Sequence, residues 1–543
     1  MKMKRHNPSL SPSRRHSLAS FLLAALCAIG SGVIGGCSPA LPDHAQAAGR
    51  KPRLSADNDS AVLPPNIAPL NFRIMEDGDA FLAHFWSDAD PEGFVAEGPD
   101  VDIDADRWHN LLRKAVGQAI RCDVYASRNG AWTRFSTLVN PIATDSIDPY
   151  ITYRLIEPGY IGYETMTLNQ RALGSFDEKE VYNNMMLSDG DNGQCVNCHM
   201  PQDWNRRQVS QFHVRQLLGG TVLIHGDEAT KVNLKTDSTL AAGVYPAWHP
   251  TRNLVAYSVN ETGQMFHTRD AQKIEVFDAA SDLILYDADA CKVYDLDKRK
   301  DEFETFPAWS PDGKTLFYTS AHFEQQTDNI DAEISVGYKQ LKYNIYCRRL
   351  DERTMRFGDR ELVFDAAAIG KSAAMPRVSP DGRHLLFSMA DYGQFHIWHH
   401  SSDLWMLDLQ TAEAAPLTAV NSPRAESYHT WSSNGRWIMF TSRRGDGNYT
   451  RIYLAWVDRR GRVHKPFLLP QRDPRHDQRL FKSYNTPEFL VRPVGPGLFR
   501  LRDAISRPAR QAAYGGSMLT HPDPGYDVSR PDSLETRRGA VAY

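Results

Sequence analysis

The sequence predicts a mainly β protein whose larger part is a β-propeller of five or six blades, preceded by an N-terminal β-sandwich. Three observations carry this reading. A hairpin motif recurs four times beyond residue 218: WHPTRNLVAYS from Trp248, WSPDGKTLFYTS from Trp309, VSPDGRHLLFS from Val378 and WSSNGRWIMFTS from Trp431. The copies lie 61, 69 and 53 residues apart. Each reads strand, Pro-Asp-Gly-type turn, strand, the turn residues supplying the φ values a tight hairpin demands. Second hairpins fall between the copies, at residues 283–295, 343–364 and 404–417, with one before the first copy (221–234) and one after the last (451–469). Four strands per unit at this period is the pattern of a propeller blade; six blades is the preferred count.

Taken in order, residues 1–36 read as an export signal: Lys2, Lys4, Arg5, Arg14 and Arg15 form a basic start, and an uncharged run of apolar and small residues follows from 18 to 34. Ile34-Gly35-Gly36-Cys37 resembles the lipobox of bacterial lipoproteins, which implies cleavage before Cys37 and a diacylglycerol on its thiol. Ser38 after it resembles outer-membrane sorting. The alternative is ordinary cleavage at the A-x-A site Ala45-Gln46-Ala47. Residues 37–63, rich in Ala, Pro and Asp and without periodicity, read as a tether. Residues 64–147 carry short strands, a hairpin around Asn129-Gly130 and one short helix near Asp106, as in a small β-sandwich. Residues 148–218 read as a haem-binding segment, with a helix from Phe176 toward Met186 behind the capping-box pattern at Ser175. Residues 219–490 are the propeller. Residues 491–543 form an extension, aperiodic and extended or disordered after Arg510.

The chemistry is concentrated in Cys195-Val196-Asn197-Cys198-His199. C-x-x-C-H is the attachment signature of a c-type haem, and the composition here would generate it by chance only about 0.003 times per chain. Two cysteines three apart on one helical turn can each form a thioether to a porphyrin vinyl group, and His199 then serves as proximal iron ligand. A zinc site would want a second Cys/His pair nearby, and no other C-x-x-C exists. The sixth ligand is not encoded locally. His213 ranks first, then His249, then Met185 or Met186, with an open position as a further option; His249, His267 and His429 sit in or near propeller motifs, where each could instead be a hydrogen-bonding structural residue, and Met200 is too near His199. Tyr245, Phe306 and Tyr428, just before the turn motifs, are expected to line the central channel.

Of the seven cysteines, Cys27 leaves with the signal, Cys37 takes lipid, and Cys195 and Cys198 take haem. Cys122, Cys291 and Cys347 stand in strand-like apolar settings and read as buried structural residues. Removal of residues 1–36 shifts the formal net charge from −4 to −9. A mildly acidic chain with no basic stripe excludes nucleic acid as the partner. No Ser-His-Asp elbow, H-E-x-x-H or phosphate-cradling glycine loop occurs, so no catalytic site apart from the haem is expected.

The blade hairpins resemble those of TolB-like, WD40-like propellers. YRLIEPGY from Tyr153, CVNCH from Cys195, YPAWHP from Tyr245, YHTWSSN from Tyr428, KPFLLPQ from Lys465 and SYNTPEF from Ser483 together resemble a family of TolB-like bacterial envelope proteins with a haem motif just before the propeller. The resemblance spans residues 64–490 and implies an exported c-type haem protein without a known reaction. The expected function is electron transfer in the cell envelope, with one covalent haem c and the propeller docking a redox partner protein. The lipid on Cys37 would anchor the chain, in the periplasm or at the cell surface, to the outer membrane. The alternatives are a TolB-like partner-binding scaffold with structural or sensory haem, and a haem-dependent oxidoreductase.

Overall fold

The computed structural model describes residues 39–157, 165–188, 190, 193–270, 272–327 and 329–521; the apolar run 18–34 and Cys37 lie outside them. Six blades stand around one axis. Their innermost strands, blades 1 to 6, are Ser483–Leu490, Gln194–Pro201, Val244–Trp248, Glu302–Trp309, Ser372–Val378 and Glu426–Trp431. In blade 1 the C-terminal strand Ser483–Leu490 pairs antiparallel with Tyr150–Ile156, so the end of the propeller closes the ring onto its beginning.

This topology corrects the division expected from sequence. Residues 148–218 are not a separate haem segment: they supply the three outer strands of blade 1 (Tyr150–Ile156, Thr167–Ala172, Glu178–Asn183) and the two inner strands of blade 2 (Gln194–Pro201, Val209–Gln216). The expected helix after Ser175 is the strand Glu178–Asn183. Ser175 Oγ accepts from the backbone N–H of Asp177 at 3.2 Å, a local turn that serves a hairpin as readily as a helix start.

The repeat motif has a direct physical basis. In blades 4, 5 and 6 the turn side chains of Asp312, Asp381 and Asn434 accept backbone N–H groups from Lys314, Arg383 and Arg436, and Gly313, Gly382 and Gly435 hold φ near +70°. The tryptophans stitch blade to blade. Trp248 donates to the carbonyl of Met200, Trp309 to that of Ala247 and Trp431 to that of Arg377, at 3.1–3.2 Å, in each case on the inner strand of the preceding blade.

The N-terminal part holds one six-stranded sheet and a two-stranded pair, Phe72–Arg73 with Asp100–Val101, rather than two large facing sheets. It contains the Asn129-Gly130 hairpin (Ala119–Arg128 with Ala131–Arg134), both turn residues at positive φ. The helix Ala105–Lys114, capped by Asp104, buries Trp108, Leu111 and Leu112 in one core with Trp437, Met439, Ile452 and Leu454 of blade 6. Blade 6 and the helix therefore provide the second layer. The expected tether is also folded: Gln46–Ala47 adds to the sheet edge, and Ala61 and Leu63 are buried. At the other end, Leu498–Ser506 is a helix with Leu501 and Ile505 buried against blades 1 and 2. Arg510–Gln511 and Ala513–Ser517 then add in parallel to the outer strands of blades 2 and 3. Residues 522–543 lie outside the described residues. Cys122, Cys291 and Cys347 are free and buried.

Two buried histidines make stability pH-dependent. Burial holds His396 and His429 down to about 3, against about 6.5 in the unfolded chain. The unfolded state therefore binds more protons between these values, and stability falls as pH drops through that window, by about 1.4 kcal/mol per pH unit for each histidine at most. Asp278, pushed up to about 7 by burial, acts in the opposite sense as pH rises from about 4 toward 7. His429→Gln is therefore expected to make the fall in melting temperature between pH 6.5 and 4.5 shallower. An equally steep fall in the variant would rule His429 out as a contributor.

Candidate functional site

The inner strand of every blade breaks register at the same place. The bulges fall between Asn197 and Met200, Val244 and Ala247, Thr305 and Ala308, Ala374 and Arg377, Ser427 and Thr430, and Asn485 and Glu488. Each bulge holds one residue at positive φ: Cys198, Tyr245, Phe306, Met375, Tyr428 and Thr486. A bulge bends its strand and re-aims a side chain. Here the six form a ring that lines one cavity of about 880 Å³ on the propeller axis. Tyr245 and Phe306 pack with ring centroids 4.4 Å apart, and Tyr428 joins them, so the three aromatics expected at the channel do line it.

The residue after the bulge is proline in four blades and histidine in two, His199 and His429. C-x-x-C-H thus occupies the channel-facing position of blade 2. It lies on a bulged strand, not on the helical turn anticipated from sequence. In a regular strand residues three apart point to opposite faces; the extra residue of the bulge is what lets both Cys195 and Cys198 line the cavity. Val196 fills the core between blades 1 and 2, and Met200 the core between blades 2 and 3. Both cysteines are free thiols, and Asn197 Nδ2 lies 3.7 Å from Cys195 Sγ.

His199 is buried beside Thr152 and Leu168 of blade 1 and also reaches the cavity. Neither ring nitrogen meets hydrogen-bonding geometry. Burial, helped by the Arg154 charge, pushes it down to about 3, so the ring is the neutral, metal-ligating form at ordinary pH.

The candidates for the sixth position separate clearly. His213 stands opposite Asn197 in the neighbouring strand and lines the same cavity. Its Nδ1 is engaged by Thr221 Oγ1 at 3.1 Å, leaving Nε2 available. His249 is not at the channel. Its Nδ1 accepts the backbone N–H groups of Thr251 and Arg252, and its ring packs 4.8 Å from that of Trp309; it is a turn residue of blade 3, and the ranking that placed it second is corrected. Met185 is exposed and Met186 packs into the core between blades 1 and 2. His429 lines the cavity, but its Nε2 is occupied by the carbonyl of Met375 at 2.7 Å.

Sequence reasoning missed the charges of the site. Arg154, Arg215, Lys235 and Arg377 line the cavity, against Glu261 and Glu488. Arg377 reaches across the channel, pairing with Glu488 at 2.8 Å and lying 3.8 Å from Met200 Sδ. Thr430 donates to the other Glu488 oxygen at 2.9 Å. Arg154 stood in a motif quoted for its resemblance, but nothing in the sequence shows that ring closure turns it toward Cys198.

Comparison with known proteins agrees with the architecture. Residues 235–480 match the family of the prolyl oligopeptidase N-terminal β-propeller domain. This part of the chain is thus similar to that domain, in keeping with its propeller fold. It covers blades 3 to 6 and leaves the C-x-x-C-H strand outside. No curated protein matches the sequence. Among solved structures, an oligogalacturonate lyase in complex with manganese is similar at 10% identity over 76% of this chain and 99% of that one, with a TM-score of 0.27. Prolyl oligopeptidase B from Galerina marginata is similar at 10% identity over 74% and 54%, with a TM-score of 0.30. A prolyl endopeptidase is similar at 10% over 59% and 42%, with a TM-score of 0.28. The chain spans about half the length of these two peptidases. At such identities the likenesses carry nothing about the channel's chemistry.

Proposed function

We propose that this chain is an exported c-type haem protein that relays single electrons in the bacterial cell envelope, with one haem c held in the propeller channel. The observation that carries the reading is the convergence of Cys195, Cys198, His199 and His213 on one cavity. The donor set fits the group: two free thiols for the porphyrin vinyl carbons, and a neutral buried imidazole whose nitrogens meet only the Thr152 and Thr486 backbone, outside good hydrogen-bond geometry. Bound haem supplies one-electron chemistry at its iron. Cys195 and Cys198 would fix the porphyrin, and His199 and His213 would be the imidazoles that hold its iron. With Nδ1–H donating to Thr221 Oγ1, that hydrogen bond would orient the His213 ring and leave Nε2 as the unprotonated nitrogen. The aromatic ring of Tyr245, Phe306 and Tyr428 restricts water on the axis. The remaining blades offer a surface for a redox partner protein, and the lipid on Cys37 would hold the chain at the outer membrane. The TolB-like haem family accounts for the same combination.

Protein produced with c-type maturation machinery is expected to give sharp low-spin absorption bands oxidised and reduced. His213→Ala is expected to convert them to a high-spin spectrum that responds to cyanide or carbon monoxide. A wild-type spectrum already high-spin and ligand-responsive would replace the electron relay with a haem enzyme or sensor. A low-spin spectrum unchanged in His213→Ala would remove His213 as the sixth ligand.

A further inference from the structure

The channel contains a buried cation with no counter-charge. Arg154, on the second strand of blade 1, is 9% exposed and lines the cavity. Its Nε is buried without a partner, and among the described residues no group makes a hydrogen bond or ion pair with its guanidinium. A charge withdrawn from water and left unpaired is strongly unfavourable, so such a group points to an anion that belongs beside it.

Among the described residues no acid supplies that anion. Glu488 is committed to Arg377 and Thr430, and Glu261, the other acid of the wall, is engaged elsewhere. Burial pushes the Cys198 thiol up, keeping it neutral, and His199 and His213 are neutral or cationic. Arg215, half-buried and also without an ion pair, and the exposed Lys235 line the same cavity. Both guanidiniums lie close enough to Cys198 to act on its thiol.

We propose that Arg154 and Arg215 form an anion subsite in the channel wall that takes a carboxylate or a small oxyanion. A guanidinium presents paired donors to either. The inference stands whether or not a porphyrin is attached, because the unpaired charge belongs to the chain. Two sources share the chemistry: a propionate of bound haem, or a free anion entering the channel.

The test uses the full chain produced without haem maturation and kept reduced, titrated with sodium propionate and sodium phosphate by calorimetry and thermal melting. At least one anion is expected to bind and to raise the melting temperature. Arg154→Met is expected to weaken that binding by about tenfold or more, and Arg154→Lys, which keeps the charge but loses the fork, to weaken it by less. Without anion, Arg154→Met is expected to melt no lower than the parent, since it removes an unpaired buried charge. Repeating the titration on haem-loaded protein separates the sources: binding lost there assigns the subsite to a propionate, and binding kept assigns it to a free anion. Neither anion binding to the haem-free chain, or equal binding in Arg154→Met, would overturn the proposal.

Discussion

Replacing both Cys195 and Cys198 by alanine is expected to abolish covalent haem and to leave the propeller folded. Each thioether requires its own sulfur, so either single variant can retain one bond to the porphyrin and the double variant none. The two thiols face the cavity, not an interblade core. Their removal opens no void between packed side chains, so the fold should be within about 1 kcal/mol of the parent. Intact mass after denaturation reads the first expectation and a urea midpoint the second. Covalent haem at parental level in the double variant would remove the basis of the functional reading.

Trp437→Ala is expected to be the most destabilising single change proposed. Trp437 is fully buried in the core that joins the N-terminal sheet to blade 6, and its Nε1 donates to the carbonyls of Asp145 and Ser146 at 3.3 and 3.2 Å. Truncation leaves a large cavity and two carbonyls without that donor, a cost of about 3–5 kcal/mol. The adjacent seam, where Ser433 donates to Asp148 through both its N–H and its hydroxyl, would then bear more of the connection. The expected readings are a lowered urea midpoint and faster proteolysis near residues 141–150. A loss below about 1 kcal/mol would show that the N-terminal sheet does not depend on blade 6 for its second layer.

The parts of the fold that were legible in the sequence are those built from local chemistry. The Asp312, Asp381 and Asn434 turns announce blades 4 to 6, because each side-chain oxygen captures its own backbone within a few residues. The inner strands of blades 1 and 2 were illegible for opposite reasons, although the outer hairpin of blade 2 was read. Blade 1 takes its inner strand from Ser483–Leu490, far along the chain, so no hairpin marks it. Blade 2 replaces the repeat turn with a run of non-glycine residues at positive φ, Asp203, Trp204, Asn205 and Gln208, that matches no simple turn signature. The tail strand Ala513–Ser517 pairs through its backbone at a sheet edge, which needs no apolar periodicity.

At the site, the sequence named Cys195, Cys198, His199 and His213 but placed the motif on a helix before the propeller. What it could not express is the six-fold bulge, a tertiary regularity visible only once Cys198 is aligned in space with Tyr245, Phe306, Met375, Tyr428 and Thr486. His249 was misread for the same reason. A histidine in a blade motif is near the channel in sequence terms, yet here its ring turns into the loop between Thr251 and Trp309.

The measurement that bears most directly on this account is the intact mass of the wild-type chain, matured in a host that loads c-type haem and then fully denatured. The account predicts one haem retained per chain through unfolding. Recovery of the unmodified polypeptide, from a host that loads a control cytochrome c under the same conditions, would contradict it and leave the channel as a site for some other ligand.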